Sequence, residues 1–241
     1  ASLGEGLQVL EAAELLRAGR LVAIPTETVY GLAANAYDEA AVKAVYAAKG
    51  RPSDNPMIVH IAELSVLPEL VTAIPENAKI LAEAFWPGPL TMVLPRSSKI
   101  PLTTTGGLET VAIRMPSHPV ARAVIRAAGV PLAAPSANRS GSPSPTTFRH
   151  CVDDLWGLVD AIVESDDCTV GVESTVVSFL PDGTPQVLRP GAVTPEEIQR
   201  LCGCVSVAEA VLHMLPQDAA APSPGMKYKH YAPAATLTLL C

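Results

Sequence analysis

Leu21-Val22-Ala23-Ile24-Pro25-Thr26-Glu27-Thr28-Val29-Tyr30-Gly31 is the stretch on which the fold turns. Its first five residues form an apolar run too short for a helix, so 21–25 reads as a strand. The next six form a polar turn ended by glycine. Upstream, residues 5–19 read as an amphipathic helix. Leu7, Leu10, Ala13 and Leu16 recur at three-residue steps, and Gly19 stands where a helix-ending glycine belongs. Downstream, Asp38 can cap a second helix through Lys49, with Val42, Val45 and Tyr46 inward and Gly50 ending it. Further strands are expected at 57–61, 90–94, 111–115, 132–134, 161–163, 174–179 and 186–188. Further helices are expected at 75–85, at 119–128 between Pro119 and Gly129, and at 195–201 behind a Thr194 cap. Interleaved strands and helices make this an α/β chain, expected as one twisted, partly mixed open sheet with flanking helices.

Composition narrows the function. Of 241 residues, 49% are hydrophobic and 17% charged, enough apolar material for a large core and too little charge for a disordered chain. A net charge of −7 argues against a general nucleic-acid coat protein, and 4% aromatic residues against a base-stacking platform. The 23 prolines, about twice the usual share, are spread along the chain and punctuate many short loops. Five cysteines at irregular spacing (Cys151, Cys168, Cys202, Cys204, Cys241) read as reduced thiols, which points to the cytoplasm, with a mitochondrial protein that has lost its transit peptide left open. Cys202-Gly-Cys204 lacks a second pair at zinc spacing, so no metal site is expected. No uncharged stretch approaches the ~18 residues of a membrane helix.

The usual catalytic templates are missing: the sequence has no Walker-type or dinucleotide-type glycine loop, no G-x-S-x-G and no H-E-x-x-H. The chemistry therefore lies in strand-end loops. Lys49-Gly-Arg51 puts two cations at a helix end, where they also suit the helix dipole. Arg114 stands in an apolar strand and needs a partner, which a structural ion pair would equally supply. Residues 135–146 are dense in hydroxyls, amides and prolines, as an ordinary surface loop is too. Arg189 closes a turn. Convergence of Lys49, Arg51, Arg114 and Arg189 on one cleft would suit a polyphosphate and a carboxylate. The residues alone reach an anion-binding α/β enzyme, with a nucleotide as its ligand.

The same segments carry a resemblance. They are Ile24-Pro-Thr-Glu-Thr-Val-Tyr-Gly31, Lys49-Gly-Arg51, Asn55-Pro-Met-Ile-Val-His60, Trp86-Pro-Gly-Pro-Leu-Thr91, Thr110-Val-Ala-Ile-Arg-Met-Pro116, Ala134-Pro-Ser-Ala-Asn138, Gly171-Val-Glu-Ser-Thr175 and Leu188-Arg-Pro-Gly191. With Pro224-Gly-Met-Lys-Tyr-Lys-His-Tyr-Ala-Pro233, the chain resembles the YrdC-type threonylcarbamoyl-AMP synthases, specifically the long form with a linker and a second domain. The resemblance implies a basic concave cleft, with ATP as substrate and Mg²⁺ accompanying it. It implies condensation of L-threonine, bicarbonate or CO2, and ATP to threonylcarbamoyl-AMP and pyrophosphate. A partner complex would then transfer the threonylcarbamoyl group to tRNA, and contact with tRNA itself is left open.

By resemblance, the K-x-R and S-x-N tetrad falls on Lys49, Arg51, Ser136 and Asn138. Threonine contacts fall on Thr28, His60, Arg114, Ala134 and Ser174, with Arg114 gripping the carboxylate. ATP contacts fall on Arg51, Asn55, Thr110, Ser136, Ser144, Arg189 and Tyr231. The expected division is a catalytic domain over 1–204, a linker over 205–235 that folds back as a lid, and the first strand of a missing domain at 236–241. Two rivals remain. A non-catalytic RNA- or ribosome-binding module would release no pyrophosphate in response to threonine. A carbamoyl-adenylate enzyme would depend on carbamoyl phosphate and would carry additional catalytic domains.

Overall fold

The computed structural model describes residues 3–212. Among them, ten strands join in one mixed sheet: β1 (Val22–Ile24), β2 (Gly31–Asn35), β3 (Ile58–His60), β4 (Leu90–Pro95), β5 (Thr110–Arg114), β6 (Leu132–Ala133), β7 (Ala161–Ile162), β8 (Thr175–Phe179), β9 (Pro185–Arg189) and β10 (Ser206–Val207). Their spatial order is β10-β9-β8-β4-β5-β3-β6-β2-β1-β7. The β3–β5, β4–β8, β1–β7 and β9–β10 pairs are parallel and the others antiparallel. The helices are α1 (Leu3–Arg17), α2 (Glu39–Lys49), α3 (Leu67–Leu70), α4 (Glu76–Phe85), α5 (Pro119–Ala128), α6 (Phe148–Leu155), α7 (Pro195–Cys202) and α8 (Glu209–Leu212).

The β1–β2 hairpin shows how the layers form. Its side chains alternate across the sheet. Ala23, Leu32 and Ala34 join the larger core with Val42 and Val45 of α2, Leu81 of α4 and Ile198 of α7. Val22, Ile24 and Ala33 point the other way, into a core with Leu16 of α1 and Val124 of α5. Helices thus cover both faces here. Farther along the sheet, Ile58, Val93, Ala112, Val176 and Leu188 form a third, small cluster.

The local signals worked where side chain and backbone agree. Asp38 accepts from the backbone N–H groups of Ala40 and Ala41, and Gly50 ends α2 in the left-handed region at φ 61°. α5 runs from Pro119 to Ala128, as the proline and the glycine dictate. Thr194 and Glu197 form a reciprocal capping box on α7. One expectation is overturned: Leu7 and Leu10 are exposed, and α1 buries Ala12, Ala13 and Leu16 instead. At about 100° per residue, nine residues separate Leu7 from Leu16 by about half a turn, so a three-residue step drifts off the face. β2, α6 and β10 were not foreseen. The terminal strand expected at 236–241 lies outside the described residues.

Candidate active site

Register builds the centre of the site. His60 of β3 pairs with Arg114 of β5 in a parallel ladder, so their side chains emerge side by side on one face. Ala134 and Ser136 follow β6, Ser174 precedes β8 and Arg189 ends β9. These positions surround a cavity of about 310 Å³. Thr28, Lys49, Arg51, His60, Arg114, Ala134, Ser136, Asn138, Ser144, Ser174 and Arg189 all line it. The four cations therefore share one hollow. Two expected residues do not line it. Thr110 begins β5, four residues (about 13 Å of strand) from Arg114. Asn55 is buried, and its carbonyl takes the Tyr46 hydroxyl at 3.0 Å and Arg51 Nε at 3.4 Å. Asn55 thus supports Arg51 from behind. Tyr231 lies outside the described residues.

Each cation is held differently. Lys49 is 3% exposed, and its ammonium donates to the carbonyls of Ser136 and Asn138, clamping the loop after β6 onto the end of α2. Burial pushes its pKa down to about 7, and Arg51 adds to the effect. Arg51 Nη2 donates to the Pro56 carbonyl at 2.9 Å. Arg189 grips the Ser174 carbonyl through Nε at 3.1 Å and Nη2 at 2.9 Å, and reaches Ser174 Oγ at 3.2 Å. Ser174 Oγ also lies 2.7 Å from Thr91 Oγ1.

Arg114 is the deepest. Its Nη2 stands 2.7 Å from Glu27 Oε1, Nη1 donates to Thr28 Oγ1 at 2.7 Å, and Nε donates to the Gly88 carbonyl at 3.3 Å. Burial alone would raise the Glu27 pKa, but the Arg114 charge together with hydrogen bonds from Arg114 and the backbone of Glu27 and Ser117 holds the carboxyl below its ordinary value. His60 is buried beside them, with Nδ1 3.2 Å from the Ile58 carbonyl. Burial, reinforced by Arg114, pushes its pKa down to about 3, so the imidazole is neutral. Asn138 donates to the Arg139 and Ser142 carbonyls at 2.8 and 2.7 Å, and its buried Oδ1 has no hydrogen-bond partner among the described residues.

Two carboxylates complete the site and were missed from sequence. Glu27 sits in the quoted stretch, but only the long-range hairpin packing brings it to Arg114. Glu173 lines the cavity and accepts from Ser144 Oγ at 2.5 Å. Among the described residues, no three His, Cys, Asp or Glu side chains gather as metal ligands. No described helix is long and apolar enough to cross a membrane.

An open mixed sheet that gathers four cations, hydroxyls and a neutral imidazole around one hollow defines an α/β protein with a cavity whose charge suits a polyanion beside a small polar molecule. The family model described as "Telomere recombination" (Sua5/YciO/YrdC) matches residues 14–191, and the chain belongs to that family. A second model, "Threonylcarbamoyl-AMP synthase, C-terminal domain", matches residues 193–241. The chain is 50% identical over 229 residues to the threonylcarbamoyl-AMP synthase of Pyrococcus abyssi and 52% identical over 233 residues to that of Bacillus subtilis. These matches take in 95% and 96% of this chain but 66% of each relative, so the chain spans about two thirds of their length. The shorter synthase of Halorhodospira halophila is 41% identical over 156 residues, 65% of this chain and 82% of that protein. Among solved structures, P. abyssi Sua5 complexed with L-threonine superposes with a TM-score of 0.90 at 50% identity, over 94% of this chain and 66% of that one. Escherichia coli YciO matches with a TM-score of 0.70 at 24% identity, over 80% and 93%, and shares the fold.

Proposed function

We propose that this chain is the catalytic part of an L-threonylcarbamoyladenylate synthase, a nucleotidyltransferase that serves threonylcarbamoyladenosine formation in tRNA. The observation that carries the reading is the meeting of Lys49, Arg51, Arg114 and Arg189 in one hollow lined by hydroxyls. The threonine amine attacks the carbon of CO2, supplied directly or by bicarbonate with loss of water. An N–C bond forms and the amine releases a proton. A carbamate oxygen then attacks the α-phosphorus of ATP, the new O–P bond forms, and the bond to pyrophosphate breaks. Nucleophile and leaving group are both anionic, so fixed cations that hold them in line lower the barrier without a covalent enzyme intermediate. Mg²⁺ belongs to the triphosphate in this reading.

Threonine takes the buried end, with Thr28, His60, Arg114, Ala134 and Ser174. ATP takes Arg51, Asn55, Thr110, Ser136, Ser144, Arg189 and Tyr231. Lys49, Arg51, Ser136 and Asn138 form the catalytic tetrad. For Lys49 the hydrogen bonds to two carbonyls support a part in shaping the loop that carries the other two. The domain division at 1–204, 205–235 and 236–241, the cytoplasmic setting and the downstream transfer complex belong to the same reading. Mass spectrometry of the nucleotide products tests it. Threonylcarbamoyl-AMP and pyrophosphate should form with threonine, bicarbonate and ATP together, and vanish when any one is left out. Pyrophosphate release indifferent to threonine would refute the reading.

A further inference from the structure

Beneath the threonine end of the cavity lies a chain of polar groups with a definite direction. Glu27 and Arg114 are 5% and 3% exposed, and their charged groups stand 2.7 Å apart. Arg114 Nη1 donates to Thr28 Oγ1, so that oxygen acts as an acceptor there. The Thr28 and Thr26 hydroxyl oxygens are 3.0 Å apart, with either able to donate by distance alone. Thr26, however, has only one hydroxyl proton, and it goes to the Val29 carbonyl at 2.6 Å. Thr26 Oγ1 also accepts from the backbone N–H groups of Thr28 at 3.2 Å and Val29 at 3.3 Å, so across the hydroxyl pair only Thr28 could donate. Arg114 occupies one lone pair of Thr28 Oγ1 and leaves the other to a ligand. A carboxylate offers nothing to a lone pair, whereas an amine N–H or a hydroxyl does.

Resting on the threonine reading above, we propose that Glu27 is a positioning residue for the amino-acid substrate: it anchors Arg114, Arg114 sets Thr28 Oγ1 as an acceptor, and Thr28 then takes an N–H or O–H of the bound amino acid. Glu27 also cancels the charge of Arg114. With His60 neutral, the amino-acid end of the hollow carries no net charge and suits a zwitterion in transit to a neutral amine. Losing the Glu27 charge would free the guanidinium to rotate onto other carbonyls, and Thr28 Oγ1 would lose the donor that orients it.

Steady-state pyrophosphate release, with threonine and ATP varied separately, tests this. The wild type is measured first; if its release does not depend on threonine, the functional reading fails and this inference falls with it. Otherwise Glu27→Gln should raise the threonine KM by about tenfold or more and leave the ATP KM within about twofold. Glu27→Asp, which keeps the charge, should recover part of the loss. Thr28→Val should raise the threonine KM as well. Because both residues act through one chain, Glu27→Gln/Thr28→Val should cost little more than the worse single change. An unchanged threonine KM in Glu27→Gln, an equal rise in the ATP KM, or additive effects in the pair would each overturn the proposal. Should Glu27→Gln fail to fold, Thr28→Val decides: an unchanged threonine KM overturns the proposal, and a selective rise upholds it.

Discussion

Gly191 offers a measured perturbation of the site through the backbone alone. A Cβ built there would stand 2.5 Å from Glu173 O, 2.5 Å from Thr175 N and 2.8 Å from Ser174 C. All three are main-chain atoms and cannot swing aside. Ordinary contact begins at 3.4 Å, so Gly191→Ala must push the turn away by about 3.4 − 2.5 = 0.9 Å. The same turn carries Arg189. Its Nη2–Ser174 bond of 2.9 Å would stretch to about 3.8 Å, beyond hydrogen-bond reach. Overpacking of this size costs about 1–3 kcal/mol, and the loss of one or two cation-to-carbonyl bonds adds about 1–2 kcal/mol. The expected destabilisation is about 2–5 kcal/mol, read as a shift of the urea midpoint at unchanged slope. A guanidinium displaced by nearly 1 Å should also raise the ATP KM by about tenfold or more. Gly157 is the control. Unlike Gly191 it has a positive φ, 79°, but an added Cβ there meets nothing within 4 Å. Gly157→Ala should cost about 1 kcal/mol of backbone strain and leave both KM values alone. Gly191→Ala with wild-type stability and a wild-type ATP KM would refute the close-approach argument.

Two further outcomes follow from the cations of the hollow. Arg51→Ala should lower kcat/KM by about 10²-fold or more, because a bound phosphate would lose its charged partner; near-normal turnover would break the assignment of Arg51 to the nucleotide. For Lys49 the folded pKa of about 7 lies below the ordinary 10.5. Between these values the unfolded chain holds a proton that the folded chain has released, so stability should rise with pH across that window. The slope is at most about 1.4 kcal/mol per pH unit, and it should be missing from Lys49→Met when unfolding is measured at pH 6.5 to 10. Parallel pH curves for the two proteins would contradict the burial-driven shift.

How much of this was legible in the chain depends on whether the cause was local. α2 and α5 could be read almost to the residue, because Asp38, Gly50, Pro119 and Gly129 each dictate a backbone conformation to their neighbours. β2 escaped because Gly31-Leu-Ala-Ala-Asn35 holds no β-branched residue; it is a strand because β1 and β6 pair with it on either side. α6 escaped because its eight residues follow a proline-rich loop, and its cap, Thr147 Oγ1 to His150 N, looks like any loop threonine. The site divides in the same way. Cations in strand-end loops could be listed from sequence, and four of them did converge. Glu27 could not be chosen, although it lies in the most telling stretch, because an acidic side chain next to a strand is ordinary until Arg114, 87 positions later, is placed against it. Thr110 could be named only from the family pattern: it begins β5, four residues before Arg114, and does not line the hollow.

The means of holding each cation matters as much as its presence. A carboxylate orients a guanidinium and cancels its charge, whereas a carbonyl orients it and leaves the charge to act on a ligand. At the buried end the protein uses the first device, Glu27 against Arg114. For Lys49 and Arg189 it uses main-chain carbonyls of Ser136, Asn138 and Ser174. Several ion pairs on the outside, such as Lys43 with Glu39, Lys79 with Glu76 and Lys99 with Glu69, lie on exposed side chains where water screens them. An acidic chain of net charge −7 can therefore still present positive charge inside one hollow. In the proposed reading, a guanidinium neutralised by Glu27 suits a zwitterion and the cations Lys49, Arg51 and Arg189 suit a triphosphate, two substrates of different charge within a single cavity.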